Sequence, residues 1–179
     1  MKRLGIAFVV LLLLSVSPAH ATLPSKQQWL RDVRTALAGA EPYIAQRTDL
    51  GVEKLALVLD IDNTSIASHY AWPQPVRPTL AVARYAVQHG MTVFFVTGRT
   101  QRDADSIRGV LSAAGYEFAD ACGRRSLREG LVHGKQRCRA AIEAQGYRVA
   151  LDIGNRRTDL RGSDIEKKIL LPSYGGQLS

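Results

Sequence analysis

Cysteine is scarce in this sequence, and the residues that usually build a zinc site are missing. Cys122 and Cys138 are the two cysteines among 179 residues, and no Cys-x-x-Cys pair or matching pair of histidines accompanies them. We therefore expect no zinc site of the common tetrahedral type. An exported chain meets an oxidising compartment, so we predict one disulfide between these cysteines. Two separate free thiols are the alternative.

The apolar run near the amino terminus is too short for a typical membrane span. It covers residues 4–16, which is 13 residues, whereas a spanning helix needs about 20. Two basic residues precede the run and the small residues Ala19 and Ala21 follow it, a pattern typical of an export signal cleaved after Ala21. No cysteine follows to carry a lipid. The sequence predicts a signal peptide over residues 1–21, a single domain without a membrane anchor over residues 22–179, and a secreted or periplasmic location.

Basic residues outnumber acidic residues, but they do not form the kind of cluster that binds nucleic acid. The 24 Lys and Arg against 16 Asp and Glu give a net charge of +8, and removal of the signal leaves 22 against 16. Such an excess favours anionic partners by electrostatic steering. The one basic cluster, Arg124, Arg125 and Arg128, has no aromatic side chains among it. We therefore predict no specific nucleic-acid binding.

The remaining sequence alternates between helical and strand patterns. Short continuous apolar runs are typical of strands buried on both faces of a parallel sheet. The predicted strands are residues 55–59, 92–96, 116–119, 148–153 and 168–171. The predicted helices are residues 25–46, 78–89, 100–114 and 135–145, with a bend or break at Pro42 in the first. This alternation predicts one α/β domain around a mainly parallel five-stranded sheet.

Polar residues follow three of the predicted strands. Residues 60–64 read Asp-Ile-Asp-Asn-Thr, residues 97–99 read Thr-Gly-Arg, and residues 154–159 begin with Gly-Asn and end with Asp. Each segment alone is compatible with a helix cap or a turn. Because the carboxyl ends of parallel strands meet at one edge of a sheet, the three segments together predict a ligand site there.

These segments together resemble the four motifs of the haloacid dehalogenase (HAD) superfamily. Residues 60–64 resemble the first motif, DxDxT, and residues 96–99 resemble the second. Lys135 with Arg139 resembles the third, and residues 154–160 resemble the fourth, written GDxxxDL in the acid phosphatase branch. That branch, subfamily IIIB, contains plant vegetative storage proteins and bacterial class C acid phosphatases. The resemblance implies a Rossmann-like three-layer α/β sandwich with a minimal cap.

The resemblance also implies phosphatase chemistry through an aspartyl-phosphate. Asp60 would attack the phosphoryl group, and Asp62 would protonate the leaving alcohol and then activate water. Thr97, Gly98 and Lys135 would bind the phosphate, with Lys135 acting as a point charge. Because a carboxylate and a phosphate ester repel each other, a cation must offset their like charges.

Mg2+ is the cofactor that the resemblance implies, with Asp60, Asp62, Asn155 and Asp159 as its ligands. Asn155 stands where the family usually has an acidic ligand, so the site has one negative charge fewer and weaker metal binding is expected. Asp152 could offset the lost charge from a greater distance. The alternative for Asp152 is a strand-end carboxylate bonded to the backbone.

The space between the first two motifs is too short for a sizeable cap. Residues 69–77 contain Tyr70 and Trp72 and are expected to form a small rim. Its aromatic rings would either stack on a substrate or pack the loop onto the domain. Arg99 would either orient the substrate or lie at the surface. The predicted partner is a small phosphomonoester, with a nucleotide as one candidate.

Two functions follow from these residues. The first is a secreted Mg2+-dependent acid phosphatase, and the alternative is a catalytically weak or silent HAD-fold protein that binds or stores a ligand. Asp60 and Asp62 are the residues that an inactive relative could most freely lose, and both are present. Their presence favours the enzyme.

Overall fold

The centre of the fold is a sheet of five parallel strands in the order β3-β2-β1-β4-β5. The computed structural model describes residues 23–51, 53–162 and 164–178, so the predicted signal peptide lies outside the described residues. The strands are β1 Lys54–Leu59, β2 Thr92–Thr100, β3 Asp120–Arg124, β4 Tyr147–Gly154 and β5 Lys167–Leu170. The predicted α/β class with a central five-stranded sheet is confirmed. The division into a signal and one domain stays a prediction.

Helices cover both faces of the sheet. They are α1 Lys26–Ala36, α2 Ala40–Thr48, α3 Arg77–Gln88, α4 Gln101–Ser106, α5 Arg108–Ala113 and α6 Leu131–Glu143. Successive side chains of a strand point to opposite faces: Leu57 and Leu59 pack with the core that contains α1 to α3, whereas Ala56 and Val58 pack with Ile142 of α6. Three layers result. Within the described ranges, no helix is both long and apolar enough to cross a bilayer.

The first predicted helix is two helices in the structure. The break lies at residues 37–39, before Pro42 rather than at it, and Pro42 occupies the third position of α2. Proline is tolerated there because the first-turn N–H groups have no partner within the helix. The predicted helix over residues 100–114 is likewise divided, into α4 and α5, with Ile107 between them.

The third strand lies later than the sequence predicted. Tyr116 and Phe118 are apolar because they pack on the core: Tyr116 is buried, and the ring of Phe118 meets that of Phe95 at 5.0 Å. The strand that pairs with β2 is instead β3, an edge strand of mixed polarity.

The two cysteines join β3 to α6. Cys122 and Cys138 form a disulfide, as predicted. Helix α6 begins at Leu131, a turn earlier than expected, so Lys135 lies inside the helix and one turn before Cys138. The covalent link therefore fixes the helix that presents the lysine of the third motif.

Candidate active site

A tight turn at the end of the central strand presents the first motif. Asp60 follows β1, and its N–H donates to the carbonyl of Ile153 on β4 at 3.0 Å. The carbonyl of Ile61 accepts hydrogen bonds from the N–H groups of Ser65 and Ile66, both at 2.9 Å. The Ser65 hydroxyl donates to the carbonyl of Asp60 at 2.7 Å. The backbone that carries the first carboxylate is thus held from both sides.

Lys135 joins two acidic side chains inside the protein. Its Nζ lies 2.7 Å from Oδ1 of Asp60 and 2.9 Å from Oδ1 of Asp159, and it also donates to the carbonyl of Val96 at 3.0 Å. All three residues of the ion-pair group are buried. Because an ammonium has three N–H donors, these contacts occupy all of them. Lys135 therefore acts at this site as a fixed positive charge.

The charges of this group shift the pKa values of Asp60 and Lys135. Burial raises the pKa of Asp60 to about 6, with Asp159 adding to the rise and Lys135 opposing it. Burial lowers the pKa of Lys135, but the attraction of Asp60 and Asp159 outweighs this and the net shift is upward. The lysine stays charged, and it favours the ionised form of Asp60.

Asp62 has different partners from Asp60. Arg99 donates from Nε to Oδ2 and from Nη2 to Oδ1 of Asp62, both at 2.8 Å, and Ser68 donates to Oδ1 at 2.6 Å. Burial tends to raise the pKa of Asp62, but the hydrogen bonds from Arg99 and Ser68 outweigh it and the net shift is downward. The two carboxylates of the first motif therefore have opposite pKa shifts.

An open pocket of about 570 Å³ exposes these groups to solvent. Thr97 and Gly98 line it together with the acidic side chains and Lys135. The Thr97 hydroxyl oxygen accepts a hydrogen bond from the N–H of Arg99 at 3.2 Å, which leaves its own proton free to be donated. Trp72 is 51% exposed, and the guanidinium of Arg99 lies 5.8 Å from its ring centre. Trp72 of the rim is therefore half exposed and contacts Arg99, but it is not among the residues that line the pocket.

The fourth motif wraps a turn around Asp159. Oδ2 of Asp159 accepts a hydrogen bond from the N–H of Arg156 at 2.8 Å, and its Oδ1 is the atom that meets Lys135. A Cβ at Gly154 would clash with Oδ2 of Asp159, so only glycine admits the carboxylate there. The contacts of Asp159 are with protein donors. Its role as a metal ligand stays a prediction.

Asp152 contacts a buried arginine. Nη1 of Arg139 lies 3.3 Å from Oδ2 of Asp152 and donates to the carbonyl of Asp159 at 2.8 Å, while Nε donates to Asp164 at 2.6 Å. Burial raises the pKa of Asp152 to about 8, against the attraction of Arg139. Asp152 is therefore paired with Arg139, and its part in offsetting the charge that Asn155 lacks stays a prediction.

The pocket offers oxygen atoms of the kind that a divalent cation prefers. In the described part of the chain, no three His, Cys, Asp or Glu side chains form a metal cluster, so the fit depends on a mixed set of oxygens. Lys135 donates to Oδ1 of Asp60, and Nδ2 of Asn155 donates to the carbonyl of Leu178 at 2.7 Å, so Oδ2 of Asp60 and Oδ1 of Asn155 take no part in these two contacts. Hard cations prefer such carboxylate and amide oxygens.

The structure brings the predicted site residues into one pocket. Its lining includes Asp60, Asp62, Thr97, Gly98, Lys135, Asn155 and Asp159. Sequence reasoning missed Ser68 and the backbone of Leu178, which also lie there. Ser68 follows the first motif without a pattern of its own, and a backbone carbonyl has no sequence signature.

A phosphoryl-transfer enzyme of α/β architecture is the class that this sheet edge and its charges define. A family-level sequence model described as HAD superfamily, subfamily IIIB (acid phosphatase), matches residues 15–177. The chain belongs to this family and is a phosphatase. Phosphatases of the HAD superfamily generally use a divalent metal, and the family implies small phosphorylated substrates.

Solved structures support the same fold. The class C acid phosphatase from Bacillus anthracis superposes with a TM-score of 0.65 at 14% sequence identity, over 83% of this chain and 79% of that one. A structure of that enzyme with tungstate bound gives 0.66, with the same identity and coverage. At this identity the likeness concerns the fold alone. No curated protein sequence matches the chain.

Proposed function

We propose that the chain is an exported, Mg2+-dependent acid phosphatase that hydrolyses phosphomonoesters through an aspartyl-phosphate on Asp60. One observation carries the proposal: Asp60 ends the central strand in an open pocket and pairs with a fully buried lysine. A buried ammonium at 2.7 Å keeps a carboxylate ionised and oriented, which a nucleophile needs.

In the first step, a carboxylate oxygen of Asp60 attacks phosphorus and the bond to the leaving alcohol breaks. Asp62 in its protonated form gives its proton to the leaving oxygen. The Thr97 hydroxyl donates a hydrogen bond to the phosphoryl oxygens, and the charge of Lys135 stabilises the negative charge that gathers around them.

In the second step, water attacks phosphorus and the bond to Asp60 breaks, which releases phosphate and restores the free carboxylate. Asp62, now ionised, accepts the proton from the water. Asp60, the backbone carbonyl of Asp62 and Oδ1 of Asn155 would hold Mg2+, which when bound offsets the repulsion between the nucleophile and the phosphate.

Acid conditions suit this assignment. The bonds from Arg99 and Ser68 lower the pKa of Asp62, so the protonated form that the first step requires is populated mainly in acid solution. The Bacillus anthracis relative binds tungstate, an oxyanion with the tetrahedral shape of phosphate. The first observation favours turnover in acid solution, although acid below the pKa of Asp60, about 6, also protonates the nucleophile. The second supports a phosphate-like oxyanion as the ligand.

Release of p-nitrophenol from its phosphate, measured with Mg2+ and with EDTA across a wide pH range, tests the proposal. We expect metal-dependent turnover that Asp60→Asn abolishes while the far-UV circular dichroism stays unchanged. Tungstate or phosphate binding without turnover under any condition would favour the alternative, a silent binding protein.

Export has separate support and a separate test. The Cys122–Cys138 disulfide is typical of proteins from oxidising compartments, and the pattern of residues 1–21 is that of a cleavable signal. Expression of the full chain followed by mass measurement of the exported product should give a protein that begins at Thr22. A product that stays in the cytosol at full length would contradict export.

A further inference from the structure

Two asparagine side chains of the active site converge on one backbone oxygen. Nδ2 of Asn63 donates to the carbonyl of Leu178 at 2.9 Å, and Nδ2 of Asn155 donates to the same oxygen at 2.7 Å. All three residues are buried. We propose that residues 173–178, called here the tail turn, are a positioning element of the metal site, which they act on by fixing the amide of Asn155. This inference rests on the proposed Mg2+ dependence.

The chemistry of the contact sets which atom each amide presents to the pocket. A carbonyl oxygen only accepts hydrogen bonds, so the atom of Asn155 that faces Leu178 must be the NH2 group. The oxygen of Asn63 accepts from the N–H of His69 at 2.8 Å, which fixes that amide independently. With its nitrogen held, Asn155 presents Oδ1 as the atom for a cation.

The hydrogen bond from Asn155 to Leu178 also explains why position 155 is asparagine and not the acidic residue that the family usually has. An aspartate there would set a carboxylate oxygen against the carbonyl of Leu178 with no proton between them. Such a pair repels, and in a buried place the repulsion is not relieved by water. Compared with aspartate, asparagine offers one negative charge fewer to the metal, but its NH2 group can donate a hydrogen bond to the tail turn. The amide and the tail turn are therefore parts of one arrangement.

Contacts away from the pocket hold the tail turn in place. The Tyr174 hydroxyl donates to Oδ2 of Asp32 on α1 at 2.6 Å, and the N–H of Leu178 donates to the carbonyl of Ser173 at 3.2 Å. The Leu178 side chain is 1% exposed and belongs to the main core. The turn thus ties α1 to the metal site through Leu178.

The test uses metal binding and backbone protection, neither of which depends on turnover. Affinity for Mn2+, a paramagnetic substitute for Mg2+, is measured by electron paramagnetic resonance. Hydrogen exchange of residues 173–178 is measured in the metal-free protein. The variants are a deletion of residues 176–179, Tyr174→Phe, and Asn155→Asp in both the full chain and the deletion. Tyr85→Phe, the same substitution on α3 away from the tail turn, is the matched control.

Four results are expected. The deletion weakens Mn2+ binding by about tenfold or more, the usual effect of losing a residue that orients a ligand. Tyr174→Phe speeds exchange of the tail turn and weakens Mn2+ binding less, whereas Tyr85→Phe changes neither. Asn155→Asp speeds exchange of the tail turn in the full chain. In the deletion, Asn155→Asp restores Mn2+ affinity because no carbonyl opposes the acid.

Other results would overturn the inference. Unchanged Mn2+ affinity in both the deletion and Tyr174→Phe would show that the turn does not position the ligand. Tyr174→Phe leaves the core side chains intact, so this conclusion stands even if the deletion does not fold. If the intact chain does not bind Mn2+ at all, the proposed function itself is contradicted. If the intact chain and the variants bind Mn2+ equally well, only the role of the tail turn is contradicted.

Discussion

Arg99 holds the carboxylate of Asp62 with two hydrogen bonds of 2.8 Å each, one from Nε and one from Nη2. This fork-to-fork pair is the strong form of the arginine–carboxylate contact. The pair involves Asp62, the proposed proton carrier, and not Asp60, the proposed nucleophile. Arg99 of the second motif therefore lowers the pKa of Asp62 in the first motif.

Replacement of Arg99 by Ala should raise the pKa of Asp62. Loss of an adjacent opposite charge moves a carboxyl pKa upward by about one unit or more. The basic limb of the kcat–pH profile for an alkyl phosphate should then move to higher pH by a similar amount, because Asp62 stays protonated longer. Arg102→Ala, an exposed arginine of α4, is the control. An unmoved basic limb would argue against Asp62 as the proton donor.

Replacement of Lys135 by Met should destabilise the fold as well as stop turnover. It leaves Asp60 and Asp159 buried without a cation, and removal of one partner of a buried ion pair costs about 3–5 kcal/mol. Urea denaturation at neutral pH measures the loss. The double variant Lys135→Met/Asp159→Asn should recover part of the stability but no activity. Full recovery of turnover in the double variant would exclude a catalytic role for the lysine.

Reduction of the disulfide should lower the free energy of unfolding by about 3 kcal/mol, given the loop that it closes. Cys122 and Cys138 are 16 residues apart in the sequence. Denaturation with and without a reductant measures the effect. The double variant Cys122→Ser/Cys138→Ser should match the reduced protein and be insensitive to the reductant. Equal stability in all samples would contradict the prediction.

Asp152 should make the protein less stable as pH rises. Its pKa is about 8 in the folded chain, above the ordinary value of 3.8, so between these values the folded state binds a proton that the unfolded state has released. Stability then falls with rising pH by at most about 1.4 kcal/mol per pH unit.

Asp152→Asn removes the titrating carboxyl and, with it, the fall in stability as pH rises. Its stability relative to the parent protein should increase between about pH 5 and about pH 8 when both are measured in EDTA. Asp49→Asn, at an exposed position, is the control and should follow the parent curve. If the curves of stability against pH are parallel for Asp152→Asn and the parent, the Asp152 carboxyl is already ionised at about pH 5.

The sequence predicted the buried strands best. β1 is a continuous apolar run after Lys54, and the neighbouring β4 is buried from residue 149 to residue 154, so burial on both faces leaves a strong pattern at the centre of the sheet. β3 was misplaced because an edge strand needs little apolar surface, while the neighbouring Tyr116 and Phe118 are apolar for packing reasons. A local sequence pattern predicts that a side chain is buried, but it does not predict which residues that side chain contacts.

The candidate site was predictable where motif residues follow strands. Asp60, Asp62, Thr97 and Lys135 do meet in one pocket. The pairing of Arg99 with Asp62 and the carbonyl of Leu178 depend on how distant backbone segments dock, which no local pattern encodes. Roles as nucleophile, proton carrier and metal ligands stay predictions.

The order of the strands has a consequence for folding. β1 lies between β2 and β4, so Asp60 receives Lys135, which is 75 residues away in sequence, only when both halves of the sheet have docked. Parallel pairings of such long range form slowly. Recovery of turnover after dilution from denaturant should therefore lag behind recovery of helical signal, and enzyme activity would report the final assembly of the molecule.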